Sequence, residues 1–447
     1  MTTSRPNVLV FFTDQQRWDT VGLHGNPLDV TPNFDRLAHE GRFVPNSFTC
    51  QPVCGPARSA LQTGKYPTTT GCYRNGIPLP KDERTLANYF GEAGYDTAYI
   101  GKWHLAKSNP VRRDQQGGYD YWLASDVLEN TSYAYQTRLY DQDGSPHDLP
   151  GYRVDALTDA AIRYIDQPRD KPFFLFLSFL EPHHQNQNDD YPSPVGYGDR
   201  MKARIDSYPP DLAELGGTTK AHYHGYMGMV ARLDEALGRI VDALISLGQL
   251  DNTIILFTSD HGCHFKTRND EYKRSCHEAS IRVPTFLYGP GLTGNGPIQA
   301  TCSLIDLPPT LLDAAGLPIP EAMQGHSILG PIPDEDDMFI QISESQIGRA
   351  LRTGKWKYCI ADPDANGYCA PASLCYQETH LYDLENDPWE LNNLVNSSDH
   401  LDVRRQLAAR LAVRMRMAGE CDSDIVIASP TCINQSGALS SDQNCSW

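Results

Sequence analysis

The chain predicts an α/β fold, with a large central, mostly parallel sheet flanked by helices and a smaller C-terminal α+β domain. Residues 7–12 (NVLVFF), 172–179 (PFFLFLSF) and 253–258 (TIILFT) are unbroken apolar runs of strand length. That is the pattern of strands buried on both faces. Segments of helical spacing lie between them, as helices covering a parallel sheet require. At 447 residues the chain exceeds the size at which one core keeps growing. A division into residues 1–335 and 336–447 is expected.

The first strand, 7–12, runs into Asp14 and Gln15. Residues 32–41 read as a short helix closed by glycine. A second helix starts near Cys54, in Cys54-Gly55-Pro56-Ala57-Arg58. Proline suits a first turn, where its missing N–H costs nothing. The helix start then turns orphan N–H groups and a partial positive charge toward Cys54. Arg58 lies one turn along and can face the same spot. Residues 85–93 form a helix and 96–101 a strand, followed by Lys102 and His104. In an extended segment residues two apart share a face, so both can reach one ligand. A helix at 155–165 precedes the strand at 172–179, and His183 lies just beyond it. The helix at 222–247 is capped by Gly248. The third buried strand, 253–258, ends at Asp260 and His261. Ligands of open α/β sheets gather at the C-terminal ends of strands. Asp14, Lys102, His183 and Asp260 all follow strands and are expected on one edge.

Residues 331–337 (PIPDEDD) read as a Pro-rich acidic linker. Beyond it come an apolar segment at 338–342, a tight turn region at 354–357 and a helix at 401–417. The Ser- and Asn-rich tail at 429–447 is expected to be irregular.

The net charge of −18 argues against a nucleic-acid partner. No apolar stretch approaches the about 20 residues that a membrane span needs, so no membrane partner is expected. The N-terminus carries no signal-peptide pattern. The chain as it stands reads as cytoplasmic, or as periplasmic or secreted if a leader has been removed. Twelve cysteines are many for a cytosolic protein, and a disulfide framework is an alternative whose pairs spacing cannot assign. None has the paired spacing of a zinc site. A homo-oligomer is compatible with the sequence, which does not read out an oligomeric state.

Asp14, Gln15, Asp260 and His261 form two adjacent pairs, each terminating a buried strand. Oxygen-rich ligands suit Ca2+ or Mg2+, and one imidazole also admits Mn2+ or Zn2+. The alternative is that they cap turns. Cys54 by itself is open to reading as a buried hydrophobe or as a thiol acidified by the helix start. Lys102, His104, His183 and Lys273 add cationic or imidazole groups near strand ends. Residues 183–191 are dense in hydrogen-bonding side chains of the kind that suit sugar hydroxyls.

Together these residues resemble the type I, formylglycine-dependent sulfatases of the alkaline-phosphatase-like superfamily. Cys54-Gly55-Pro56-Ala57-Arg58 with Leu61 and Thr63-Gly64 is similar to that family's first signature, and residues 94–104 (GYDTAYIGKWH) to its second. Ser259-Asp260-His261-Gly262 resembles its second metal motif, and Lys273 with Arg282-Val283-Pro284 the segment after it. Residues 304–316 and 381–394 are also typical. The resemblance implies that Cys54 is converted to formylglycine by a formylglycine-generating enzyme. It implies a divalent cation, usually calcium, on Asp14, Gln15, Asp260 and His261, next to residue 54. Arg58 would hold the gem-diol. Lys102, His183 and Lys273 would grip sulfate, with His183 or Lys273 protonating the leaving alcohol. His104 would assist breakdown of the covalent intermediate. The expected substrate is a small-molecule or saccharide sulfate ester. Gln15, His261 and Ala57 depart from the commonest pattern of Asp, Asn and Ser. Together with their motifs they also resemble the phosphonate monoester hydrolases, and a phosphonate monoester or phosphodiester substrate is the alternative.

Overall fold

The computed structural model describes residues 5–331 and 337–427. Its main sheet is built on strands β1 (Asn7–Thr13), β2 (Asp96–Lys102), β3 (Tyr121–Ser125), β4 (Phe173–Ser178), β5 (Thr253–Ser259) and β6 (Phe286–Tyr288). They lie in the order β6-β5-β1-β4-β2-β3. The five long strands from β5 to β3 pair in parallel. The edges are antiparallel, through β6 on one side and Gln136–Asp141 on the other. The ten-stranded sheet is therefore mixed, with a parallel centre.

Alternation along the apolar runs explains why both faces are covered. Val8, Val10, Phe12, Phe174, Phe176, Ile254 and Leu256 point to one core, shared with Ala57 and Leu61 of helix α1 (Cys54–Thr63). Leu9, Phe11, Leu175, Leu177, Ile255 and Phe257 point to the other. That second core is closed by helices α2 (Arg153–Ile165) and α3 (Thr219–Ser246). A parallel strand buried on both faces needs apolar residues at every position, which is what these runs supply.

A separate five-stranded sheet follows: β7 (Met338–Ile342), β8 (Ile347–Arg352), β9 (Trp356–Asp362), β10 (Cys375–Asp383) and β11 (Asp424–Val426). One face packs on helix α4 (Leu401–Met417) through Leu407, Leu411 and Met415. The other face, with Ile340, Ala350 and Cys359, packs on Phe48, Ala60 and Cys276 of the first unit. Two details differ from expectation. Trp356 and Lys357 begin β9, and the turn is confined to Gly354 and Lys355, closed by Thr353 N–H donating to Trp356 O at 2.8 Å. The Asp337 side chain is buried against Arg410 of α4, so the end of the acidic stretch docks on the second unit. Residues 332–336 of that stretch and the tail at 429–447 lie outside the described residues. The ten cysteines among the described residues are all free thiols, so no framework of disulfides forms there. Among the described residues no helix is long and apolar enough to cross a membrane.

Candidate active site

Parallel register brings the strand ends together. Thr13 of β1 pairs with Ser259 of β5, so Asp14 and Asp260 leave the sheet side by side. Asp260 N–H donates to Thr13 O at 3.2 Å. Gln15 turns into the left-handed region at φ 66°, and its N–H donates to Asp260 Oδ1 at 3.0 Å. Its amide donates to the Tyr191 hydroxyl at 3.0 Å. That leaves Gln15 Oε1 buried with no hydrogen-bond partner. His261 Nδ1 lies 2.9 Å from Gly262 O. A donor bond there sets the tautomer and presents the Nε2 lone pair to the site. Nε2 is 3.5 Å from Asp260 Oδ1 and 3.8 Å from Asp14 Oδ1.

Asp14, Cys54, Asp260 and His261 offer donor atoms within 4.8 Å of one another, all buried. Burial, and then the Asp14 carboxylate beside it, push Asp260 up to about 7. Two crowded carboxylates, an orphaned amide oxygen and a directed imidazole fit a hard divalent cation. Asp14, Asp260 and His261 thus meet at one point with Cys54, and Gln15 is tied to them by its backbone bond to Asp260.

Cys54 opens α1 and is buried. Its Sγ is 2.8 Å from Lys273 Nζ, 3.3 Å from His261 Nε2 and 3.6 Å from Asp14 Oδ1. Burial pushes the thiol up, but Lys102, Lys273 and His261 pull it well below the usual thiol range. The site favours negative charge on whatever residue 54 carries; Sγ stands where an oxygen of a modified side chain would sit. One turn on, Arg58 donates to Asp14 Oδ2, Lys102 O and Ser178 Oγ, each at 2.8 Å. Lys102 Nζ lies 2.9 Å from Asp14 Oδ2. His183 Nδ1 is 2.6 Å from His184 O, and its Nε2 is 3.1 Å from Lys273 Nζ. Burial and the Lys273 ammonium push His183 below the usual range. His104 is a lesser contributor to the lowered pKa of the Cys54 thiol. It reaches the site differently from the extended alternation expected, because its own φ of 60° turns the chain after β2.

Sequence reasoning missed the residues that hold these groups. Glu129 Oε1 lies 3.0 Å from Lys102 Nζ. Burial pushes Glu129 up, yet Lys102 above all pulls it down to about 2. Arg153 of α2 pairs with Glu181 at 2.8 Å, both fully buried, beneath the segment that carries His183. Tyr191 orients Gln15. None belongs to a motif; an acidic residue beyond β3 matters only because β3 pairs with β2. In the polar loop Gln185 is buried and donates to Glu129 O and Ser132 O, whereas residues 186–190 are exposed.

A family model described as Sulfatase matches residues 6–317. An ulvan-active sulfatase of Formosa agariphila is 29% identical over 93% of this chain and 82% of its own length. An N-acetylglucosamine-6-O-sulfatase of Bacteroides thetaiotaomicron is 25% identical over 94% of this chain and 88% of its own. Among solved structures, the Bacteroides fragilis protein yidJ, assigned as a sulfatase, superposes with a TM-score of 0.80 at 25% identity. That match covers 94% of this chain and 97% of the other.

Proposed function

The chain belongs to the sulfatase family, and from that premise we propose that it hydrolyses the sulfate monoester of a sulfated sugar or other small molecule. In this reading residue 54 acts as formylglycine beside a calcium ion. The observation that carries it is the position of Cys54 Sγ, 2.8 Å from Lys273 Nζ and 3.3 Å from His261 Nε2 at a buried helix start. Conversion by a formylglycine-generating enzyme supplies a gem-diol, with one hydroxyl to attack and a second to let sulfate leave as the aldehyde re-forms. Calcium held by Asp14, Gln15, Asp260 and His261 would lower the pKa of the attacking hydroxyl.

The remaining work falls to the chain's own side chains. Arg58, bonded to Asp14 and to the end of β2, fixes the carboxylate that faces residue 54. Lys102 and Lys273 approach residue 54 and take up charge on sulfate oxygens. Burial pushes the Lys102 ammonium down, but Asp14, Cys54 and Glu129 more than offset it, so it stays cationic. Lys273, bonded to neutral His183, holds a proton next to the leaving oxygen and delivers it to the departing alcohol. His104 is the base for release. The two relatives' names, and the exposed polar side chains at 186–190 beside His183, support a saccharide sulfate.

The test is paired kinetics with p-nitrophenyl sulfate and phenyl p-nitrophenyl phosphonate, with Cys54→Ala as control. The expected result is dominant sulfate turnover, lost in the variant, followed by sulfate release from sulfated sugars. Dominant phosphonate turnover would favour a phosphonate or phosphodiester substrate. Equal activity in Cys54→Ala would sink the chemistry assigned to residue 54.

A further inference from the structure

A second cluster of metal-ligating side chains lies where the loop after Lys273 meets the C-terminal sheet. Cys276 is three residues beyond Lys273. Cys359 lies on β9, and His380 is its cross-strand partner on β10. One ligand atom from each lies within 4.8 Å of the other two. Both thiols are free and buried, at 3% and 2% exposure. Nδ1 of His380 is buried with no hydrogen-bond partner. We propose that Cys276, Cys359 and His380 form a site for a soft, thiophilic cation, Zn2+ or Cu+, which pins the active-site loop to the second sheet.

The chemistry separates this site from the oxygen-rich one. Two sulfurs and an imidazole suit zinc or copper and repel calcium or magnesium. Zinc–sulfur bonds of about 2.3 Å and zinc–nitrogen bonds of about 2.0–2.1 Å set donors roughly 3.3–4 Å apart, and the three donors here already lie within 4.8 Å of one another. Two thiolates and a neutral imidazole around Zn2+ carry no net charge, so the complex is buried without an uncompensated ion. The neighbouring Lys357 is already matched by Glu278 at 2.8 Å and Glu390 at 2.6 Å. His277 is a further donor beside the cluster. Its ring centroid is 5.2 Å from that of His380, and its Nδ1 is buried without a partner.

The site joins units far apart in sequence. Cys276 shares its loop with Lys273, whereas Cys359 and His380 belong to the second sheet. A cation there would hold the position of Lys273 from outside the first unit.

The experiment uses the full chain in a Cys54→Ala background, so that residue 54 supplies no thiolate. Chelator-stripped protein is titrated with Co2+ under reducing conditions. The expected result is one equivalent with sulfur-to-cobalt charge-transfer absorption, displaced by Zn2+ and lost in Cys276→Ser and in Cys359→Ser. Competition with Cu+ under a chromophoric chelator then assigns the preferred ion. Absence of the band, with both thiols open to alkylation after unfolding, overturns the proposal. A disulfide-linked pair of peptides containing Cys276 and Cys359 overturns it equally. If a serine variant fails to fold, His380→Gln and the titration of the parent decide, because the band itself reports sulfur ligation.

Discussion

Lys273 tests both the electrostatics and the acid chemistry of the site. Its Nζ lies 2.8 Å from the residue-54 sulfur and 3.1 Å from His183 Nε2, with 5% of the residue exposed. Two unit charges at that shorter distance interact by roughly 6 kcal/mol at an effective dielectric near 20. Removing one partner of a buried pair costs about 3–5 kcal/mol in practice. At about 1.4 kcal/mol per decade, Lys273→Met should lower kcat/KM by roughly a hundredfold to several thousandfold. The loss should depend on the leaving group. A nitrophenolate needs little protonation, whereas a sugar alkoxide needs a proton in the transition state. The assay is kcat/KM on p-nitrophenyl sulfate and on a sulfated sugar, with circular dichroism to verify folding. A loss below tenfold on both substrates would refute the electrostatic argument. An equal loss on both would refute the acid role and leave only charge stabilisation.

Tyr191→Phe removes the hydroxyl that holds the Gln15 amide. If the proposed calcium site operates, it should weaken cation binding about tenfold or more while sparing the rate at saturating calcium, read from the calcium dependence of turnover. Arg153→Met strands Glu181 in the core and should cost about 3–5 kcal/mol of stability; an unchanged urea midpoint would contradict it. Burial, then Arg268, push the fully buried His264 down to about 3. Its folded value lies below its unfolded value, so its contribution is complete above pH 6.5 and drains away as pH falls toward 3. Between pH 7 and 5 the loss should be about 2 kcal/mol, visible as a flatter pH dependence of unfolding in His264→Asn.

Much of the fold and the core of the site were legible as local pattern. Runs apolar at every position mark strands buried on both faces, and residues just beyond parallel strands must share an edge. Asp14, Lys102, His183 and Asp260 could thus be expected together. Cys54 and Arg58 could be paired because one helical turn separates them. The antiparallel edges of the sheet left no comparable mark, since strands such as Phe286–Tyr288 are too short for periodicity to register.

What the sequence alone determined, then, is which segments are strands and helices and which chemistry stands at their ends, because period and turn propensity are local properties. Tertiary structure decided the partners. Glu129 reaches Lys102, Tyr191 reaches Gln15, and Arg153 reaches Glu181, through strand order and register. Cys276 meets Cys359 and His380 only because two units share a buried face. The physical reason is that strand order and register minimise buried apolar and unpaired polar surface over the whole chain. Shifting a strand by one residue would turn every side chain to the opposite face.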